Sequence, residues 1–148
     1  MIERVRAMLL TPADGLLLIR RTRPGAAPYW VFPGGHVEPE DPDLRSALMR
    51  ELREETGAEP HITGLLHVLA DERERQYFYL GRIEAWSEAD RTGPEFGDPG
   101  RGEYRLEEVP LTREALAARN IMPEPVAAFL YDAVTSETDL ASLADPTR

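Results

Sequence analysis

Residues 41–57 constrain this chain more than any other stretch. Asp41-Pro42 places a helix-capping acid ahead of a proline at the first helical position, and Gly57 stands just past the expected helix end. The pattern predicts a helix from about Pro42 to Thr56. Leu44, Leu48 and Leu52 recur every four residues with Ala47 beside them, so one stripe is apolar while the opposite side is strongly charged. Such a helix has to bury its stripe against another layer, and the flanking sequence supplies strands for it.

Val5–Leu10 and Leu16–Arg21 are apolar runs on either side of Thr11-Pro12-Ala13-Asp14-Gly15, a set of turn residues that predicts a hairpin. Tyr29–Phe32 is a short aromatic and β-branched segment stopped by Pro33-Gly34-Gly35, after which a loop is expected. Ile62–Ala70 and Gln76–Trp86 read as a second hairpin joined by the charged residues 71–75. A long polar loop follows over Ser87–Gly102, then a strand over Tyr104–Val109 and helices over Thr112–Ala118 and Glu124–Thr135. Residues 138–148 read as a frayed, flexible tail. Strands interrupted by one strong helix and closed by terminal helices imply an α/β (α+β) sandwich with a mixed sheet, formed by 1–148 as a single domain.

The chain has 148 residues and no cysteine, which excludes disulfides, thiolate catalysis and cysteine-based zinc sites. A net charge of −10 argues against a nucleic-acid polymer as partner, because neutralising a phosphate backbone needs clustered cations. All 17 basic residues are arginine, which reads as codon bias. No apolar run approaches the ~20 residues of a membrane span, and the first residues carry no secretory apolar core. A cytoplasmic protein is expected.

The chemistry lies on the charged side of the predicted helix. Glu51, Glu54 and Glu55 occupy positions i, i+3 and i+4, so three carboxylates share one face. Like charges at that spacing repel, and a hard divalent ion relieves the repulsion. Magnesium takes oxygen ligands, retains waters and bridges carboxylates to phosphate oxygens, which points to phosphorus chemistry. The plain alternative is a solvated face laced with i,i+4 ion pairs such as Arg50 with Glu54, a common arrangement. The glycine pair upstream is what that alternative leaves unexplained.

Gly35 through Ala58 resembles the Nudix box, G-x5-E-x7-R-E-U-x-E-E-x-G-U, where U is a bulky apolar residue. Arg50, Glu51, Leu52, Glu54, Glu55 and Gly57 fit it residue by residue, and Ala58 is a small substitute at the last position. The first half departs from the pattern. Counting forward from Gly35 puts the isolated acid at Asp41, counting back from Arg50 puts it at Pro42, so one residue is inserted and Glu38, Glu40 or Asp41 supplies the carboxylate. The resemblance implies a Nudix-like α/β/α fold with the box helix packed on the sheet. It also implies Mg2+ (or Mn2+) held by Glu51, Glu54, Glu55 and the carbonyl near Gly35, and catalytic roles for Arg50, Glu51 and Glu54. In this family the arginine typically orients a catalytic glutamate, and a further acid often comes from a distant loop, where Glu95, Asp98 and Glu103 are candidates.

Arg20 and Arg23 are the best candidates to grip substrate phosphate, since a guanidinium matches two phosphate oxygens; for any one arginine, plain surface charge is the competing reading. Tyr29, Trp30, Tyr77 and Phe78 either stack on a base or fill the core. His36, His61 and His67 show no ligand spacing. The reading that follows is a metal-dependent pyrophosphohydrolase acting on a nucleoside diphosphate linked to another moiety, X. A Nudix-fold nucleotide sensor that does not hydrolyse is the alternative. Many relatives pair, so a homodimer is possible.

Overall fold

The computed structural model describes residues 1–89, 91–92 and 102–148. In chain order the elements are β1 (Ile2–Leu10), β2 (Gly15–Thr22), β3 (Tyr29–Val31), β4 (Gly34–His36), α1 (Leu44–Thr56), β5 (His61–Ala70), β6 (Glu74–Arg82), β7 (Glu103–Pro110), α2 (Arg113–Ala117), β8 (Ile121–Met122), α3 (Glu124–Thr135) and α4 (Leu140–Leu143). The strands form one mixed sheet with β5-β6-β1-β2-β3-β8 as its main path; β4 is added on β1 and β7 on β2.

β1 explains how the sheet opens at the box. Along one edge it pairs in parallel with β6 over its whole length, Ile2↔Glu74 to Leu10↔Arg82. Along the other edge it changes partner: Leu9 and Leu10 pair with β2, whereas Arg4, Val5 and Arg6 pair with His36, Gly35 and Gly34 of β4. β2 meanwhile turns towards β3 and carries β7 on its far side, Gly15↔Pro110 to Thr22↔Glu103. The predicted first hairpin is therefore real but short.

Strand alternation sorts the core into two layers. Val5, Ala7 and Leu9 of β1, Leu17 of β2 and Tyr77 and Tyr79 of β6 face α1, whose Ala47, Leu48 and Leu52 are fully buried among them. Met8, Leu16, Leu18, Phe78 and Leu80 point the other way and pack with Leu116, Val126, Leu130 and Ala133 from α2 and α3. Phe32 and Phe78 meet edge to face, with centroids 5.6 Å apart. Helices on both faces of a mixed sheet give the α/β/α sandwich expected from the sequence.

The structure adds detail at three stretches. The helix begins at Leu44 with Asp43, not Asp41, as its cap: the Asp43 side chain accepts from Ser46 N at 2.7 Å. Asp41 is drawn away by Arg50, a competing partner that lies a turn and more along the helix. The expected loop does follow, over 37–43, but the glycines that precede it are themselves paired as β4, since they allow close backbone approach to β1; an added Cβ on Gly34, whose φ is 146°, would come within 2.0 Å of Val5 O. Residues 138–148, expected as a flexible tail, make contacts with the rest of the fold. Asp139 caps α4, Leu140 is buried, Leu65 and Asp145 exchange backbone hydrogen bonds, and Arg45 donates to the carbonyls of Pro146 and Arg148. Sequence polarity there concealed a segment held mainly through its backbone.

Candidate active site

The carboxylates of α1 gather on the glycine pair. Glu55 is 6% exposed and its Oε1 accepts from Gly34 N at 2.8 Å. The Glu51 carboxylate lies directly over Gly35, where an added Cβ would fall 2.4 Å from its Cδ. Glycine at 35 is thus required by a side chain rather than by its own backbone angle. Glu54 is the most exposed of the three on its side chain, at 33%, with Arg50 Nη1 3.9 Å away.

Arg50 ties this acidic turn to the loop before the helix. Its Nε and Nη2 take Asp41 in a fork at 3.1 and 2.8 Å, Nη1 donates to Glu51 at 3.0 Å, and Nη2 also donates to the His36 carbonyl at 3.1 Å. The fork with Asp41, together with Glu51, holds the guanidinium protonated above its ordinary range despite partial desolvation. In return the Arg50 hydrogen bonds lower the Asp41 carboxyl below the usual range. Of the acids that the inserted residue left open, Asp41 makes the direct bonds to Arg50, while Glu38 stands 3.7 Å from it.

Behind the glycines lies Arg6, which the sequence did not single out. Its Nη1 donates to Phe32 O at 3.0 Å and its Nε to Gln76 Oε1 at 3.2 Å. Burial lowers its pKa, opposed chiefly by the field of Glu55. An arginine two residues before Met8, on the same face of an apolar strand, was the available signal.

The other predicted residues scatter. Arg20 is half-buried on β2 between Trp30 and Arg105 in register, and Arg23 is exposed near Gly102; neither contacts the box carboxylates in the described residues. Tyr29 flanks the Arg21 guanidinium, and Trp30 donates its indole N–H to Glu107 at 3.1 Å. Tyr77 and Phe78 are core residues. His67 packs on Phe129 at 4.9 Å, and His36 contributes its carbonyl while its imidazole pKa is lowered by burial and by Arg4 and Arg6. Glu103 lies at the start of β7 and is exposed; Glu95 and Asp98 fall outside the described residues.

Three glutamates on one helix face offer the all-oxygen donors that a hard divalent cation takes. Among the described residues they are not drawn into a ready-made cage of three or more ligands. The fit is one of donor chemistry and placement. No helix among the described residues is long and apolar enough to cross a membrane.

Known proteins share part of this sequence and its fold. The CTP pyrophosphohydrolase of Escherichia coli (strain K12) is 46% identical over 59 residues, which make up 40% of this chain and 43% of that protein, so the match spans less than half of the relative. In solved structures, the E. coli ORF135 protein is similar over 92% of this chain and 89% of its own, with TM-score 0.60 and 24% identity. A NUDIX hydrolase from Nitrosomonas europaea matches over 98% and 92%, with TM-score 0.67 and 18% identity. Those two likenesses speak for the fold. The model of the NUDIX domain matches residues 1–125, which takes in the sheet, the glycine pair and the whole of α1, and the chain belongs to the Nudix family.

Proposed function

We propose that this protein hydrolyses a diphosphate linkage in a nucleoside diphosphate joined to another moiety, using Mg2+ or, in its place, Mn2+. The observation that carries the reading is the convergence of Glu51 and Glu55 on the glycine pair, with Arg50 bracing Glu51 from the side. The partial match to a CTP pyrophosphohydrolase favours a nucleotide as substrate and leaves X open.

Glu51, Glu54, Glu55 and the carbonyl of Gly35 would hold the ion. Bound there, it supplies neutralisation of diphosphate charge and acidification of a water. The chain's own residues do the positioning. Arg50, fixed by Asp41 and the His36 carbonyl, keeps the Glu51 carboxylate over Gly35. Gly34 N holds one Glu55 oxygen and so fixes that carboxylate against the strand. Glu54, the more exposed acid, is within reach of solvent and serves as an acid–base candidate beside Glu51. Arg20 and Arg23 are assigned to substrate phosphate, where a guanidinium fork binds two oxygens at once.

The test is release of phosphate-containing products from a panel of nucleotides and nucleotide conjugates with Mg2+, comparing wild type with Glu54→Gln and Glu55→Gln. Turnover that needs the metal and is lost in either variant supports hydrolysis and identifies X. A nucleotide that binds without being cleaved supports the sensor reading instead.

A further inference from the structure

α1 carries its acids at the unfavourable end. Its first turn has no acidic residue, whereas Glu54 and Glu55 sit in the last turn, where the helix macrodipole already places partial negative charge. The last four carbonyls of a helix also need partners. Arg53 O is taken by Gly57 N at 3.0 Å; the other three are met from a distant part of the chain. Thr92 N donates to Glu54 O at 2.9 Å, Arg91 Nε to Glu55 O at 3.0 Å, and Ser87 N to Thr56 O at 2.9 Å. Arg91 is the charged member of this set. Its Nη1 also donates to the carbonyl of Tyr104 on β7, whose ring in turn lies under the Arg21 guanidinium at 3.7 Å.

We propose that Arg91, far outside the box, is a positioning residue that latches the acid-bearing turn of α1 to β7 and so sets where the Glu54 and Glu55 carboxylates stand. Two physical effects act together. The guanidinium bridges two backbone carbonyls on separate elements, which fixes the turn, and it brings a positive charge to the negative end of the helix. The carbonyls held by Thr92 and Arg91 belong to Glu54 and Glu55 themselves, so a shift of this turn moves both carboxylates. Arg91's effect on turnover rests on the hydrolase reading above; its effect on cation affinity does not.

The experiment compares Arg91→Ala and Arg91→Lys with wild type and with Arg113→Gln, an exposed arginine paired to Glu114 on α2. Mn2+ affinity is read by electron paramagnetic resonance of free Mn2+, kcat and KM with Mg2+ on a substrate from the panel, and folding by thermal midpoint. In Arg91→Ala, Mn2+ affinity and kcat each fall about 10- to 100-fold, as for residues that orient metal ligands from behind. KM stays within about threefold. Arg91→Lys is intermediate, added guanidinium at sub-denaturing concentration restores part of both losses in Arg91→Ala, and Arg113→Gln changes neither. Mn2+ affinity and kcat within about twofold of wild type would overturn the latch. Losses that track a fallen thermal midpoint and respond neither to lysine nor to guanidinium also overturn it, since they describe a general structural role. If wild type turns over nothing while Arg91→Ala still loses Mn2+ affinity and guanidinium restores it, the hydrolase reading fails and the latch stands.

Discussion

At its N-terminal end α1 is fixed by a side-chain cap from Asp43, by fully buried Ala47 and Leu48, and by a tail whose carbonyls accept from Arg45; at its C-terminal end it is fixed by an arginine fork, two glycines and residues from beyond β6. The first end is held by apolar burial and local hydrogen bonds. The second has to keep three like charges within one and a half turns, and it does so with the Arg50 cation on Glu51, the Gly34 N–H on Glu55 and a missing Cβ at Gly35. Anchorage and chemistry are thus divided along one 13-residue helix, and each end predicts a different kind of failure.

The largest effect is expected where the two demands meet. Gly34→Ala places a Cβ against the backbone of β1 at a positive φ, so it should cost about 3 kcal/mol or more of stability and abolish activity together. Chemical denaturation and turnover read both. Leu48→Ala tests the anchoring end alone: about 2–4 kcal/mol of stability is lost, while kcat of the folded fraction holds. A parallel fall in kcat would erase the division proposed here.

Gly35→Ala tests the other end. Its Cβ would meet the movable Glu51 carboxylate rather than backbone, and its φ is not in the left-handed region, so the fold should tolerate the change. Turnover should drop by roughly 100-fold, about 2.7 kcal/mol in the barrier, with the thermal midpoint nearly unchanged. A stable and fully active variant would remove Glu51 from the machinery.

A smaller effect concerns acid. Asp41 has its carboxyl pKa lowered by Arg50, so its share of stability is complete above the ordinary aspartate range and is lost as pH falls through the lower folded value. The urea midpoint of Asp41→Asn should therefore approach that of wild type as pH is taken from 5 towards 2; curves that stay parallel would mean that the fork adds nothing. The smallest effect is expected for Arg45→Ala, which releases the tail carbonyls and should speed amide exchange at Thr147 and Arg148 without altering turnover.

Much of this was legible beforehand because it is written in local periodicity. The leucine spacing located α1 and its buried stripe, Gly57 its end (φ 68°), and the alternating runs located β1, β2, β5 and β6. Glu51, Glu54 and Glu55 could be named because i, i+3 and i+4 share a helix face whatever the helix packs on, and Arg50 through the resemblance to the Nudix box. Boundaries fared worse where a residue had two suitors, as with Asp41, which is a good cap in isolation but a better partner for Arg50.

What the sequence determined by itself is therefore what depends on neighbours along the chain: the sheet-and-helix alternation, the apolar stripe and the acidic face opposite it. Only the tertiary structure decided which acid meets Arg50, that Arg6 stands behind the glycine pair, that residues near 145 dock on β5, and that Arg91 reaches the carbonyl of Glu55. Those contacts join groups 9 to 80 residues apart. They are made largely to backbone atoms, which every residue carries alike, so side-chain identity leaves almost no trace of them in the sequence.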